Sequence, residues 1–217
     1  FIGKDTVNMG NQASGGADRL ACVALSHVIQ CRRNELLALR RELASAASQH
    51  TSHNGRMIAR KDFDAAQASL HIEESDQEVY DRLFTLFDKT GAGKVDYLEL
   101  IVGLAPLIPG TLNDRLLLAF QLVDEDGKGF VDKSEMLFCL RSLSRCCGFL
   151  SDPEMEIETM EELVSSLFVA FQDGGSMEES FEYGDNIGAI AEHPLFEKWL
   201  RAKDDELVIN SGKFKNG

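Results

Sequence analysis

The chain has 217 residues, with 22 Lys+Arg against 36 Asp+Glu and a formal net charge of −14. At roughly 150 residues per domain the length suits one large domain or two small lobes, and a content of 44% hydrophobic and 27% charged residues is ordinary for a globular protein. The acidic excess argues against nucleic acid as the main partner, because phosphate contacts need Lys and Arg; it points to cations or basic partners instead. The longest nearly apolar stretch, Leu100–Ile108, is too short to span a bilayer and contains Pro106.

Residues 1–16 are polar and Gly-rich and read as a flexible arm. A helical pattern follows from Ala17 to Leu43. Taking 100° per residue from Leu20, the side chains of Leu25, Val28, Ile29, Leu36, Leu39 and Leu43 fall within about 80–180°, on one face, with Arg19, Arg33, Arg40 and Arg41 beside it. Ser45–Gly55 is polar and turn-rich, and a helix is expected from about Lys61 to His71. The next helix is predicted over Ser75–Phe87, where Val79, Tyr80, Leu83, Phe84 and Phe87 recur at helical spacing and Ser75 with Glu78 gives a capping-box start. After a polar loop comes an apolar helix, Tyr97–Leu104. Two prolines and a glycine in Ala105–Gly110 mark a lobe boundary. Further helices are predicted over Leu112–Val123, Lys133–Cys146, Glu154–Phe171 and Pro194–Ala202, with a break at Gly148–Pro153.

Two loops carry the chemistry. Asp88–Glu99 reads DKTGAGKVDYLE and Asp124–Glu135 reads DEDGKGFVDKSE, starting 36 residues apart. Each has Asp at position 1, Gly at 6, Val at 8, Asp at 9 and Glu at 12 between apolar helices, which is the EF-hand pattern. A hard divalent cation takes six to eight oxygens; the glycine allows the sharp turn that gathers them, and a bidentate Glu at position 12 favours calcium over the smaller magnesium. The second loop offers Asp124, Asp126, Asp132 and Glu135 with the carbonyl of Phe130, while Lys128 at position 5 cannot ligate and is expected to swing outward. The first offers Asp88, Thr90, Asp96 and Glu99 with the carbonyl of Lys94, and Ala92 at position 5 has no oxygen to give. Calcium is therefore expected to bind weakly at the second loop and more weakly at the first. EF-hands pair, and the frames Thr51–Asp62 and Gln172–Tyr183 are the degenerate partners: the first keeps Ile58 at position 8 and Asp62 at 12, and the second has acids at the wrong spacing. The fold expected is all-α, with four helix–loop–helix units, two of them degenerate, and short paired loop strands. It divides into an arm at 1–16, a lobe at 17–104, a linker at 105–111, a lobe at 112–203 and a tail at 204–217.

Asp81–Leu100 (DRLFTLFDKTGAGKVDYLEL) and Gly110–Met136 (GTLNDRLLLAFQLVDEDGKGFVDKSEM) resemble the neuronal-calcium-sensor and calcineurin-regulatory-subunit superfamily of four-hand proteins. Within it, Arg60–Ile72 is similar to the segment that precedes the first good loop in the type associated with ciliary outer dynein arms. The resemblance covers residues 58–136 well and implies a calcium-binding regulator. Such a protein grips a partner, expected to be an amphipathic helix, in an apolar groove, for which Phe84, Phe120, Met136 and Phe168 are candidates. The alternative is a constitutive structural subunit of a large assembly, such as a ciliary outer-dynein-arm docking complex. No catalytic motif or nucleophile grouping survives the helical assignment, so an enzyme is not expected.

The chain starts on Phe1, and Met9-Gly10-Asn11-Gln12-Ala13-Ser14 matches the N-myristoylation signal, which makes Gly10 an acylation site where Met9 is the initiator. One acyl chain binds membranes marginally, and the arginine face of the first helix is the obvious second signal. Five cysteines, an odd number with no CxxC pair, indicate thiols in a reducing, cytoplasmic compartment, including the ciliary axoneme or a membrane surface. The adjacent Cys146 and Cys147 are the pair that a strained redox-sensitive disulfide would use.

Overall fold

The computed structural model describes residues 32–49, 55–69, 74–149, 154–171 and 180–196. Helix α1 (Arg33–Ser48) is followed by strand β1 (Met57–Ala59), α2 (Arg60–Ser69), α3 (Glu74–Phe87), β2 (Lys94–Asp96) and α4 (Tyr97–Leu104). A 3₁₀ turn (Ala105–Leu107) leads to α5 (Leu112–Val123), β3 (Phe130–Asp132), α6 (Lys133–Phe149), α7 (Ile157–Ala170), β4 (Ser180–Glu182) and α8 (Tyr183–Ala191). The chain is thus mostly helical, with two small antiparallel strand pairs. Strand β1 pairs with β2, setting Ile58 opposite Val95, and β3 pairs with β4, setting Val131 opposite Phe181. Each three-residue strand sits between two helices, giving four helix–strand–helix units joined in pairs. Among the described residues no helix is long and apolar enough to cross a membrane.

Helix α4 explains how the units meet. Its sequence YLELIVGL is apolar nearly all round, and a helix of that kind must be enclosed; Tyr97, Leu98 and Leu100–Leu104 are all buried. It packs against α1, α3, α5 and α6. Gly103 is the point of closest approach: a Cβ there would lie 2.5 Å from the ring of Phe87 on α3. Residues from both halves of the chain, such as Leu43, Phe84, Leu104, Phe120, Leu140 and Leu163, belong to one hydrophobic cluster.

Helix α5 occupies the span predicted for it. Thr111 caps it: Thr111 Oγ1 accepts from the Asp114 N–H at 3.2 Å and the Asp114 carboxylate accepts from the Thr111 N–H at 2.8 Å. Elsewhere the boundaries move. Helix α1 continues to Ser48 through part of the predicted turn, because Ala44, Ala46 and Ala47 favour helix and Ala47 is buried. The expected start at Ala17 lies outside the described residues. Helix α3 already includes Glu74, so Ser75 is inside its first turn and not at its cap. Helix α6 runs through Gly148 to Phe149. Residues 154–156 precede α7 as extended chain, held where the Met155 N–H donates to Ser144 Oγ at 2.7 Å. Ala105–Ile108, read as part of a linker, is buried against α5 and α6.

The fourth unit carries a correction of frame. Counting from Gln172 puts Phe181 at position 10, but the strand register sets it opposite Val131, which is position 8 of its own loop. Position 9 is then Glu182 and position 12 is Asp185. The reason is packing: Phe181 is buried against Phe168 and Phe171, at ring-centroid distances of 5.8 and 5.5 Å. Residues 172–179, which include positions 1–6 of this frame, lie outside the described residues, as do Gly10, Arg19 and the tail.

Candidate metal centre

In the loop 124–135 the carboxylate of Asp124, itself buried, organises the turn. Oδ1 accepts from the Gly127 N–H at 2.8 Å and the Lys128 N–H at 3.3 Å, and Oδ2 accepts from the Gly129 N–H at 2.8 Å. Gly129, at position 6, has φ +86°, a left-handed conformation that a side chain would strain. The hydroxyl of Tyr183 on α8 also donates to Asp124 Oδ2, at 2.9 Å, so the fourth unit braces the first ligand position of the third. Burial, then the Asp124 carboxylate, pushes the Tyr183 phenol well above its ordinary pKa.

The other donors lie along the same turn. Asp132 Oδ1 accepts from the Glu135 N–H at 2.8 Å and from Ser134 Oγ at 2.6 Å, and Glu135 Oε2 accepts from the Asp132 N–H at 2.9 Å. Partial burial works against the charge on Asp132, but the Ser134 and Glu135 bonds outweigh it and hold the carboxyl below its usual range. Lys128, at position 5, is exposed. Its Nζ lies 2.6 Å from Asp126 Oδ2, and that contact holds the Asp126 carboxyl below its usual range. Both side chains are exposed, so the pair is weak. Four carboxylates and the Phe130 carbonyl on one turn fit the oxygen chemistry of calcium. The side chains are not gathered: among the described residues no group of three or more His, Cys, Asp or Glu is arranged to hold a metal ion.

The loop 88–99 has the same backbone and different chemistry. Asp88 Oδ1 accepts from the Ala92 N–H at 3.1 Å, and Oδ2 accepts from the Gly93 N–H at 2.7 Å. Thr90 Oγ1 donates to Asp88 Oδ1 at 3.4 Å. Asp96 caps α4, accepting from the Leu98 N–H at 2.9 Å and the Glu99 N–H at 3.3 Å, and burial raises its carboxyl above the usual range despite those bonds. Lys94 lies in β2, opposite Ala59. Glu99 is taken: Lys89 Nζ lies 3.0 and 3.2 Å from its two oxygens, and Arg145 of α6 donates to Oε1. With Ala92 lacking an oxygen and Glu99 already neutralised, the side chains here do not fit a divalent ion as they stand. The degenerate first unit keeps its frame, since the Ala59 N–H donates to Asp62 Oδ2 at 2.9 Å, the same bond from position 9 to position 12 that Asp132 and Glu135 make.

Sequence reading missed three contributors: Tyr183, Arg145 and Arg56. The last approaches Glu125, position 2 of the 124–135 loop, at 3.4 Å from the first unit. The proposed groove residues are core residues: Phe84, Phe120, Met136 and Phe168 are all buried. Phe130, Ile157, Val169 and Phe171 are large apolar side chains that are exposed instead. Of the first helix's arginines, Arg33 reaches Gln121 on α5 and Arg41 is exposed. Cys139, Cys146 and Cys147 are buried in α6 outside any disulfide. Adjacent helical positions also point their side chains about 100° apart, which does not suit a bond between Cys146 and Cys147.

Paired helix–loop–helix units with this oxygen-rich turn have the form of EF-hand pairs. No protein-family model matches the chain. Its curated relatives are neuronal calcium sensor proteins, a class whose cofactor is Ca2+. The guanylyl cyclase inhibitory protein of Lithobates pipiens is 29% identical over 113 residues, covering 52% of this chain and 55% of the relative. Calaxin of Homo sapiens is 30% identical over 109 residues, covering 49% of this chain and 52% of calaxin. The calcium-binding protein NCSA of Dictyostelium discoideum is 36% identical over 73 residues, covering 34% and 39% respectively. The chain spans about half the length of the first two of these relatives.

Proposed function

We propose that this protein is a calcium-binding regulatory protein whose working ion site is the loop 124–135. Asp124, Asp126, Asp132 and Glu135 with the Phe130 carbonyl are the residues that hold the ion. The observation that carries the reading is the Asp124 turn, where three backbone N–H groups and the Tyr183 hydroxyl fix the first ligand. Calcium neutralises the clustered acids, and Glu135 provides the bidentate position on α6. Because Glu135 also caps that helix through the Asp132 N–H, its engagement by an ion is felt at the start of α6. The protein acts as a regulator of a partner, not as a catalyst, in line with relatives named for inhibiting or activating guanylyl cyclase. The partner is a protein segment, expected to be an amphipathic helix. The units form two lobes, 17–104 and 112–203, each with a degenerate hand. The compartment is cytoplasmic, and Gly10 acylation would add a membrane contact.

A second reading is supported by specific ties. Arg145 with Glu99, Arg56 with Glu125, and the shared core bind the two halves together. They suit a constitutive structural subunit, such as one in a ciliary assembly, for which the likeness to calaxin is the other support. Calcium titration by calorimetry on wild type and Glu135→Gln tests the first reading. Wild type should give a saturable heat that Glu135→Gln loses. No calcium-dependent heat in wild type at millimolar ion sinks it. A dye for apolar surface separates the readings, because a sensor gains fluorescence with calcium and a structural clamp does not.

A further inference from the structure

We propose that the loop 88–99 is closed by the protein's own cations, Lys89 and Arg145, in place of a divalent ion. Position 12 of an EF-hand is the residue that must give both its oxygens to the metal. Here both oxygens of Glu99 lie against the ammonium of Lys89, at 3.0 and 3.2 Å, and one also accepts from the Arg145 guanidinium. The Glu99 side chain is only 12% exposed and that of Arg145 25%, so this pair is shielded in a way the Lys128–Asp126 pair, at 73% and 57%, is not.

Arg145 is placed to do this by two helices at once. Its guanidinium lies 5.8 Å from the ring centroid of Phe87, the last residue before the loop, while bonding the carboxylate that closes the loop. It therefore joins the entering and exiting helices of this unit, α3 and α4, to α6 of the other half. Two positive charges against one carboxylate leave the pocket of Glu99 repelling a further cation. Ala92 supplies no oxygen to offset that. In the loop 124–135 the position-12 carboxylate accepts from the backbone N–H of Asp132 instead. One loop is thus fixed by internal charge while the other is left to the metal.

This inference rests on the reading of 124–135 as the calcium site only for its stoichiometry. The full chain is titrated with calcium as wild type, Glu99→Gln and Glu135→Gln. One binding step, unchanged in Glu99→Gln and lost in Glu135→Gln, is expected; two steps, one of them lost in Glu99→Gln, would overturn the proposal. The same proteins are then melted in EDTA. In an ordinary metal loop, replacing the position-12 carboxylate relieves repulsion and raises the melting temperature. Here Glu99→Gln should lower it by roughly 2–6 °C, since the shielded Arg145 guanidinium and the more exposed Lys89 lose their anion, and adding Arg145→Gln should restore part of the loss. A melting temperature raised by Glu99→Gln overturns the proposal. If wild type takes no calcium at all, the reading of 124–135 falls and the melting arm alone decides this one, with the same two outcomes.

Discussion

At the scale of single residues, the most informative contact is the hydroxyl of Tyr183 on the Asp124 carboxylate. The bond is 2.9 Å long and buried, and the Tyr183 ring lies 5.7 Å from that of Phe120, centroid to centroid. Hydrogen bonds to a charged group contribute about 1.5–3 kcal/mol. Tyr183→Phe keeps the ring and its stacking while removing the donor, so it should cost about 2 kcal/mol in urea unfolding without metal. Asp124 keeps its three backbone donors, and calcium affinity should therefore weaken by less than about tenfold, against the loss caused by Glu135→Gln. An unchanged unfolding midpoint would show that the hydroxyl contributes nothing. The proposed ligand set was legible as a pattern, because carboxylates at positions 1, 3, 9 and 12 follow from coordination chemistry and local spacing. Tyr183 was not: it lies 59 residues from Asp124 and reaches it only through the pairing of β3 with β4.

At the scale of elements, α5 shows when sequence is enough. Thr111 begins it and Asp124 ends it, both as local signals, and the expected and observed spans agree. Its cap also sets a pH dependence. Hydrogen bonds from the Thr111 hydroxyl and N–H hold the Asp114 carboxyl below its usual range. A depressed folded pKa means that the contribution is present above the unfolded value of about 3.9 and is lost as pH falls through the folded one. Wild type should therefore exceed Asp114→Asn in stability near pH 7, and the gap should close as pH falls below the unfolded value of about 3.9. Thr111→Ala removes the cap itself and should cost about 1 kcal/mol. A gap between wild type and Asp114→Asn that does not change with pH would refute the assignment. The fourth unit shows when sequence is not enough. Acids at 178, 179 and 182 gave no spacing to count from, and the frame was set by burial of Phe181, which only the folded pair of strands determines. Likewise Glu99 and Arg145 are 46 residues apart, on helices whose meeting no local pattern encodes.

At the scale of the whole molecule, the question is whether the halves fold separately. A loop boundary with two prolines suggested that they do, yet Ala105, Pro106, Leu107 and Ile108 are buried, and α4 is enclosed by helices from both sides of that boundary. The Arg56–Glu125 approach, on side chains 41% and 52% exposed, contributes at most about 1 kcal/mol. The shielded Arg145–Glu99 pair is a second tie, and the shared apolar core is the most extensive one. The expected outcome in metal-free calorimetry is one transition with equal van't Hoff and calorimetric enthalpies. Leu107 sits at the junction with its side chain fully buried, so Leu107→Ala should cost about 2–5 kcal/mol and move that single transition to lower temperature. Independent lobes behave differently: wild type would show two transitions, and Leu107→Ala would shift one and leave the other in place. A single transition that Leu107→Ala splits into two would mean that packing at this turn joins lobes otherwise able to fold alone. The proposed calcium site in one half would then report to the other through α4 and the buried turn at 105–107.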